Sequence, residues 1–396
     1  MPNGRPPLGR WRRRVDRRLY RWMFRAERAL FPAGPRPAAI RRVLVVASHR
    51  VGDLVVLGPT LSYLRARLPD AAIDVAASAA NASLLAGDPR LRAVVRREPT
   101  RAGWWRAALA LRRHRYDLVL STKVLSHLSE GLFAALVAPR GAVRASAWRP
   151  RRYAGFFTCP IRVPPRHAHV VDRLLYAART ALGDPAEAPG GAPLPVPPAA
   201  LPADAAADAR AARFVYDAGG GRPVVAFTAW GSDPKRCFGV EVAAEIVAGI
   251  AARHPELVVA ITPAPAAVGE AEAIAQAARA RLAGARDAGA TESRVTESRV
   301  VVAPASADLR DLVALIRHAA AVVSPDTANM HIAAAVGTPY VAVYSAYTAV
   351  ALWGAWGGPR RVVYADDRRP IREIPVDAVI AGFEALWAEV GGRRGA

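Results

Sequence analysis

The 396-residue chain contains two cysteines, Cys159 and Cys237. That excludes a disulfide scaffold and any cysteine-rich zinc module, and it fits a reducing compartment. No run of about 18 or more consecutive apolar residues is present, as a membrane-spanning helix needs. The nearest candidate, the uncharged stretch Thr327–Pro359, holds Asn329, His331, Gly337 and Pro339 and reads as helix, turn and strand. The basic N-terminus is not followed by the apolar segment of about 7–15 residues that marks a secretory signal. The expectation is a cytoplasmic chain that can attach to a membrane surface. Acidic residues are scarce in the first half. Residues 1–183 carry 35 Lys and Arg against 10 Asp and Glu, a net +25, whereas residues 184–396 carry 20 against 23, a net −3. An Ala/Arg/Pro-rich composition accounts for part of the basic excess but not for its asymmetry. The two halves are therefore expected to meet different partners, the first of them anionic.

Apolar residues make up 52% of the chain and charged residues 22%, enough to build a packed core. The most basic segment is the start. In Gly9–Leu30, Trp11, Val15, Leu19, Trp22 and Ala26 recur at helical spacing, with arginines largely on the other faces. A basic amphipathic leader over 1–36 is predicted, with residues 9–31 as an interfacial helix whose arginines meet lipid phosphates. A helix packed on its own domain is the alternative, and a nucleic-acid arm is the least favoured one.

From Arg41 on, short apolar runs alternate with helical segments. Val43–Ala47, Ile73–Ala77 and Asp117–Ser121 read as strands, with helices over Leu54–Leu68 and Trp104–His114. The stretch Asp184–Leu201, rich in Pro, Ala and Gly, reads as a linker. The alternation then restarts, with strands over Val224–Thr228, Leu257–Thr262, Arg299–Ala303, Ala321–Ser324 and Tyr340–Tyr344 and helices between them. Strand–helix alternation predicts parallel sheets. The expected layout is an α/β domain over 37–183, a linker over 184–204 and a second α/β domain over 205–396. The pentapeptide TESRV occurs at 291–295 and again at 296–300, a tandem duplication that reads as surface loop.

Three segments carry candidate chemistry. After the first strand comes Ser48-His49-Arg50-Val51-Gly52-Asp53. Gly52 allows a tight turn, and Asp53 at the following helix start either caps that helix or serves as a general base. After the strand at 224–228 comes Gly231-Ser232-Asp233-Pro234-Lys235-Arg236, two cations beside a Gly-Ser turn, a setting that suits a diphosphate. After the strand at 321–324 comes Pro325-Asp326-Thr327-Ala328-Asn329-Met330-His331. Its cap residues leave helix amides aimed outward, where a phosphate is attracted. His331 reads either as a structural histidine or as a second contact to the same ligand.

These segments, in this order, resemble glycosyltransferase family 9, the heptosyltransferase family of lipopolysaccharide core assembly. The resemblance covers roughly residues 41–390. It rests on VLVVASHRVGDLVVLGPTLSYLRARLPDAAIDV (43–75), FTAWGSDPKRCFGVEVAAEI (227–246) and VVSPDTANMHIAAAVGTPYVAVY (322–344). It implies a GT-B fold, two Rossmann-like domains facing a cleft, and inverting transfer without a bound metal or cofactor. It also implies Asp53 as general base, with His49, Arg50 and Gly52 in the acceptor-side loop. Asp326 would contact a donor hydroxyl. Thr327, Ala328, His331, Ser232 and Lys235 or Arg236 would surround the diphosphate. The chain departs from the family pattern at Ala328, where Gly is usual, at Lys235-Arg236-Cys237-Phe238 in place of a Lys closely followed by Trp-Pro, and at Ser345-Ala346-Tyr347 in place of Gly-Pro-Thr. These departures leave the donor sugar and base open.

The function so implied is transfer of a heptose-like sugar from a nucleotide diphosphate donor to an anionic lipid-linked glycan, at the cytoplasmic face of the inner membrane. The alternatives are a sugar-nucleotide epimerase on the same fold and a non-catalytic membrane-surface scaffold.

Overall fold

The computed structural model describes residues 22–47, 50–122, 128–146, 153–159, 161–188, 194–197, 199–284, 299–306, 308–345, 347–354, 356–364 and 369–394. Leader residues 1–21, His49 and most of the TESRV duplication lie outside these. The chain divides into two compact units, the first drawn mainly from residues before 198 and the second mainly from residue 198 onward.

The first unit holds a five-stranded sheet, all of whose pairings are parallel: β1 (Arg42–Val46), β2 (Ala72–Ser78), β3 (Ala93–Arg97), β4 (Leu118–Ser121) and β5 (Val143–Ser146). Their order across the sheet is β3-β2-β1-β4-β5. Val43–Val46 and Leu118–Leu120 have no exposed surface, which is why these strands read as unbroken apolar runs rather than alternating ones. The second unit holds a six-stranded sheet, again parallel throughout, in the order β11-β10-β9-β6-β7-β8. Its strands are β6 (Val224–Phe227), β7 (Val258–Ile261), β8 (Val300–Val302), β9 (Ala321–Pro325), β10 (Tyr340–Tyr344) and β11 (Arg360–Tyr364).

Both sheets reverse direction in their strand order, between β1 and β4 in the first and between β6 and β9 in the second. At such a switch point the connections leave toward opposite faces and open a crevice at the carboxyl ends of the two strands, where ligands of open α/β sheets bind.

The single helix expected over Leu54–Leu68 is two: α2 (Val51–Val55) and α3 (Gly58–Arg67), after an α1 over 22–30. Pro59 accounts for the break. It has no amide hydrogen to continue a helix but is tolerated in a first turn. The strands β3, β5 and β11 and the helices Leu128–Val137, Val170–Leu182 and Ala205–Gly219 were not legible as elements. The three strands are only four or five residues long and mix apolar residues with Arg, too short for a clear period.

Only the end of the leader is described. In α1, Glu27 is buried and accepts a hydrogen bond from the Gly155 amide at 2.8 Å. The Phe31 ring meets Phe156 at 5.5 Å, and Arg144 donates to the Phe31 carbonyl at 2.7 Å. This part packs on the first unit, while Trp22, Phe24 and Leu30 stay exposed.

The Pro-rich stretch is also tied down over its described part. Asp184 accepts from the Tyr63 hydroxyl at 2.5 Å and pairs with Arg67 at 2.9 Å. Glu187 pairs with Arg166 and with His167, and Arg179 donates to the Pro195 carbonyl at 3.0 Å.

Candidate active site

The switch point of the second sheet brings together two segments about ninety residues apart in sequence. The loop Ala229–Gly239 leaves β6, and the turn Asp326–Thr327 leaves β9. They meet through one ion pair: Arg236 Nη1 lies 3.0 Å from Asp326 Oδ2 and also donates to the Asp326 backbone carbonyl at 3.5 Å. Asp326 is 6% exposed. A carboxylate so far out of water needs a paired cation, and Arg236 supplies it. Lys235, one residue earlier, is exposed on the same turn.

The local sequence sets this geometry. Asp233 caps the short turn Pro234–Arg236, its carboxylate accepting from the Lys235 amide at 2.9 Å, and Pro234 fixes the first residue of that turn. A Cβ at Gly231 would sit 2.5 Å from the Arg236 Cβ and 2.7 Å from the Arg236 carbonyl oxygen. Only glycine lets the loop close on itself there. Phe238 is buried and stacks on Phe227 at 5.9 Å between centroids. It anchors the far side of the loop in the core and leaves Arg236 facing Asp326.

On the other strand, Thr327 is the N-cap of the helix Ala328–Val336, its hydroxyl accepting from the Asn329 amide at 3.3 Å. Ser324, fully buried, donates to the Pro325 carbonyl at 2.9 Å and lies 3.0 Å from Thr327 Oγ1. Each hydroxyl has one proton, so Thr327 donates to Ser324. Its hydroxyl is thus engaged inside the turn, and what the turn offers outward is the first amides of the helix, which have no acceptor within it. Ala328 is the first helical residue. His331 is buried one turn on and hydrogen-bonded or otherwise engaged.

Ser232 is exposed and borders a cavity of about 340 Å³ formed by Gly231–Pro234, Cys237, Gly239 and Arg372. Arg372 escaped notice in the sequence, because nothing in its neighbourhood links a residue so far downstream to the β6 loop. Among the described residues, no cluster of three or more His, Cys, Asp and Glu is placed to hold a metal ion.

At the switch point of the first sheet, the loop after β1 leads into α2. Asp53 is the third residue of α2, within its first turn, and it is half-buried and engaged. Gly52 is helical, not the turn residue its type suggested, and Arg50 is exposed just before the helix. A buried pair that the sequence did not disclose lies at the end of β1. Arg97 at the end of β3 donates to the Ala47 carbonyl at 2.8 Å, sits 3.6 Å from Glu130 and covers the Phe133 ring at 5.2 Å. Its guanidinium thus braces the β1 end from which the Asp53 loop starts.

Two parallel sheets, each with its loops gathered at a switch point, are the architecture of a GT-B glycosyltransferase. The chain belongs to glycosyltransferase family 9, the heptosyltransferase family, whose model matches residues 104–373. That match takes in the Arg236 loop and the Asp326 turn. The Asp53 segment lies outside it. The fold agrees with solved structures. The ADP-heptose LPS heptosyltransferase II of E. coli superposes with a TM-score of 0.67 at 20% identity, covering 88% of this chain and 99% of that one. A family 9 glycosyl transferase from Veillonella parvula gives 0.68 at 15% identity over 88% and 97%. E. coli heptosyltransferase WaaC with ADP gives 0.62 at 19% identity over 87% and 99%. Among curated proteins, none matches the sequence.

Proposed function

We propose that this glycosyltransferase moves a heptose-like sugar from a nucleotide diphosphate donor to a hydroxyl of a lipid-linked glycan such as lipopolysaccharide core, with inversion and without a metal. The observation that carries the donor half is the Arg236–Asp326 pair beside the start of the helix Ala328–Val336. There a cation and the positive end of a helix suit a diphosphate while a carboxylate suits a sugar hydroxyl.

In the proposed reaction, Asp53 takes the acceptor hydroxyl proton as that oxygen attacks the anomeric carbon from the face opposite the diphosphate. The bond from the anomeric carbon to the diphosphate oxygen breaks, and the nucleoside diphosphate leaves with the bonding pair. Arg236, Lys235 and the first helix amides stabilise the charge that grows on it. Donors fixed in place before reaction and aimed at developing charge are an effective way to lower such a barrier. Asp326 orients the donor sugar, with Ser232 and His331 at the borders of the same site. His49, Arg50 and Gly52 belong to the acceptor side. An epimerase would need acid and base groups on both faces of the sugar ring, a demand the Arg236–Asp326 pair, with its single carboxylate, does not meet.

Calorimetry with ADP, UDP, GDP and their sugar conjugates tests this reading. One nucleotide sugar is expected to bind selectively and to be consumed when a lipid-linked glycan acceptor is added. Absence of binding to every nucleotide would refute the donor site and favour the scaffold reading.

The net +25 of residues 1–183 and the exposed Trp22, Phe24 and Leu30 support attachment to an anionic membrane through residues 9–31, on the cytoplasmic face of the inner membrane. Among the described residues, no helix is long and apolar enough to cross a membrane. Deleting residues 1–21 leaves the docked part of the leader in place. With Trp22, Phe24 and Leu30 still present, it is expected to weaken sedimentation with phosphatidylglycerol-containing vesicles severalfold while nucleotide binding persists. Undiminished vesicle binding after the deletion would refute the interfacial helix.

A further inference from the structure

Asn329 stands between the residues proposed to hold the donor and has no part in the reaction described so far. It is the second residue of its helix and only 8% exposed. Its Nδ2 donates to Thr228 Oγ1 at 2.5 Å, Thr228 Oγ1 lies 2.7 Å from Thr262 Oγ1, and Thr262 Oγ1 donates to the Phe227 carbonyl at 3.1 Å. Thr228 and Thr262 are also buried. A threonine hydroxyl has one proton to give. Thr262 gives its own to Phe227, so Thr228 donates to Thr262 and accepts from Asn329. The relay therefore runs in one direction and fixes the amide with its nitrogen toward Thr228.

The relay joins the two halves of the proposed donor site. Thr228 is the first residue beyond β6, where the loop bearing Arg236 begins. Asn329 holds the other half, since its backbone amide donates to the Thr327 hydroxyl that caps the helix. Neutral buried hydrogen bonds of this kind add little net stability. What a fully satisfied buried network does provide is a single fixed arrangement.

We propose that Asn329 is a positioning residue of the diphosphate site, and that its relay through Thr228 and Thr262 holds the helix amides and Arg236 in register on one anion. This rests on the donor-site reading above. The isostere Asn329→Asp, read beside Thr228→Val and Thr228→Ser, separates a merely structural Asn329 from a positioning one. A carboxylate in the first turn suits the helix dipole, but at a site only 8% exposed its charge costs stability. It also cannot donate to Thr228, and it sets a negative charge beside an anion site.

The experiment is calorimetry with ADP, UDP and GDP on the full chain, alongside thermal unfolding. For the nucleotide that wild type binds, Asn329→Asp is expected to lose at least about tenfold in affinity at pH 7.5, measured well below the Tm of either protein. Thr228→Val should weaken binding severalfold, and Thr228→Ser, which keeps the hydroxyl, should restore it. Wild-type affinity in Asn329→Asp and Thr228→Val overturns the proposal. So does a Thr228→Ser variant that binds no better than Thr228→Val. If wild type binds no nucleotide, the donor-site reading itself fails, which is a different result.

Discussion

Asp53→Asn is expected to lower kcat by about 10²–10⁴-fold, the usual worth of a general base, while calorimetry finds nucleotide-sugar affinity unchanged. The two halves of this expectation have separate grounds. Asp53 lies in the first turn of α2, after β1 of the first sheet, whereas the proposed donor groups all lie in the second. The substitution keeps size and hydrogen-bonding capacity but removes the ability to accept a proton, so a packing role alone would leave turnover nearly intact. An Asp53→Asn enzyme with wild-type kcat would leave Asp53 a structural role in the first turn of α2. A joint loss of kcat and donor affinity would mean that the substitution disturbs more than the base.

Asp326→Ala is expected to weaken binding of the sugar nucleotide by roughly 10–150-fold, the worth of a hydrogen bond to a charged group at about 1.5–3 kcal/mol. Two effects oppose each other here. Losing Asp326 removes the contact to the donor sugar, but it also releases Arg236 from the partner it holds at 3.0 Å and leaves that guanidinium freer to meet a diphosphate. The bare nucleoside diphosphate, which has no sugar to contact, should therefore lose much less affinity than the sugar nucleotide, or even gain. Calorimetry with both ligands separates the effects. Equal losses for the two would show that Asp326 acts only by holding Arg236. In that case Arg236→Ala and the double variant should show strong non-additivity, as coupled neighbours do.

The loop around Arg236 shows how sequence spacing can leave a question open that packing then settles. Lys235 and Arg236 are adjacent cations, and either suits a phosphate. The Asp233 cap, the fixed first residue Pro234 and the buried Phe238 turn the short helix so that Arg236 faces Asp326 and Lys235 faces solvent. Gly231 is needed there because its neighbour across the loop is backbone, a contact invisible in the linear chain. At Gly52 the inference from residue type went the other way. A glycine beside a candidate active-site aspartate suggested a turn, and it is helical.

The sequence by itself determined the alternation of strands and helices, the two parallel sheets, the charge asymmetry and the family. These are local or compositional properties: apolar runs mark strands buried on both faces, and short motifs mark the strand ends. It placed the strand Tyr340–Tyr344 to the residue. What only the tertiary structure decided is which strand ends are neighbours. The order β9-β6 puts residues 229–239 beside 324–329, so Arg236 finds Asp326 and Asn329 finds Thr228 and Thr262. Strand order in a parallel sheet is set by how crossover helices pack on its two faces, a long-range choice that no local pattern encodes. The pairing of buried polar groups at the switch point follows from that choice.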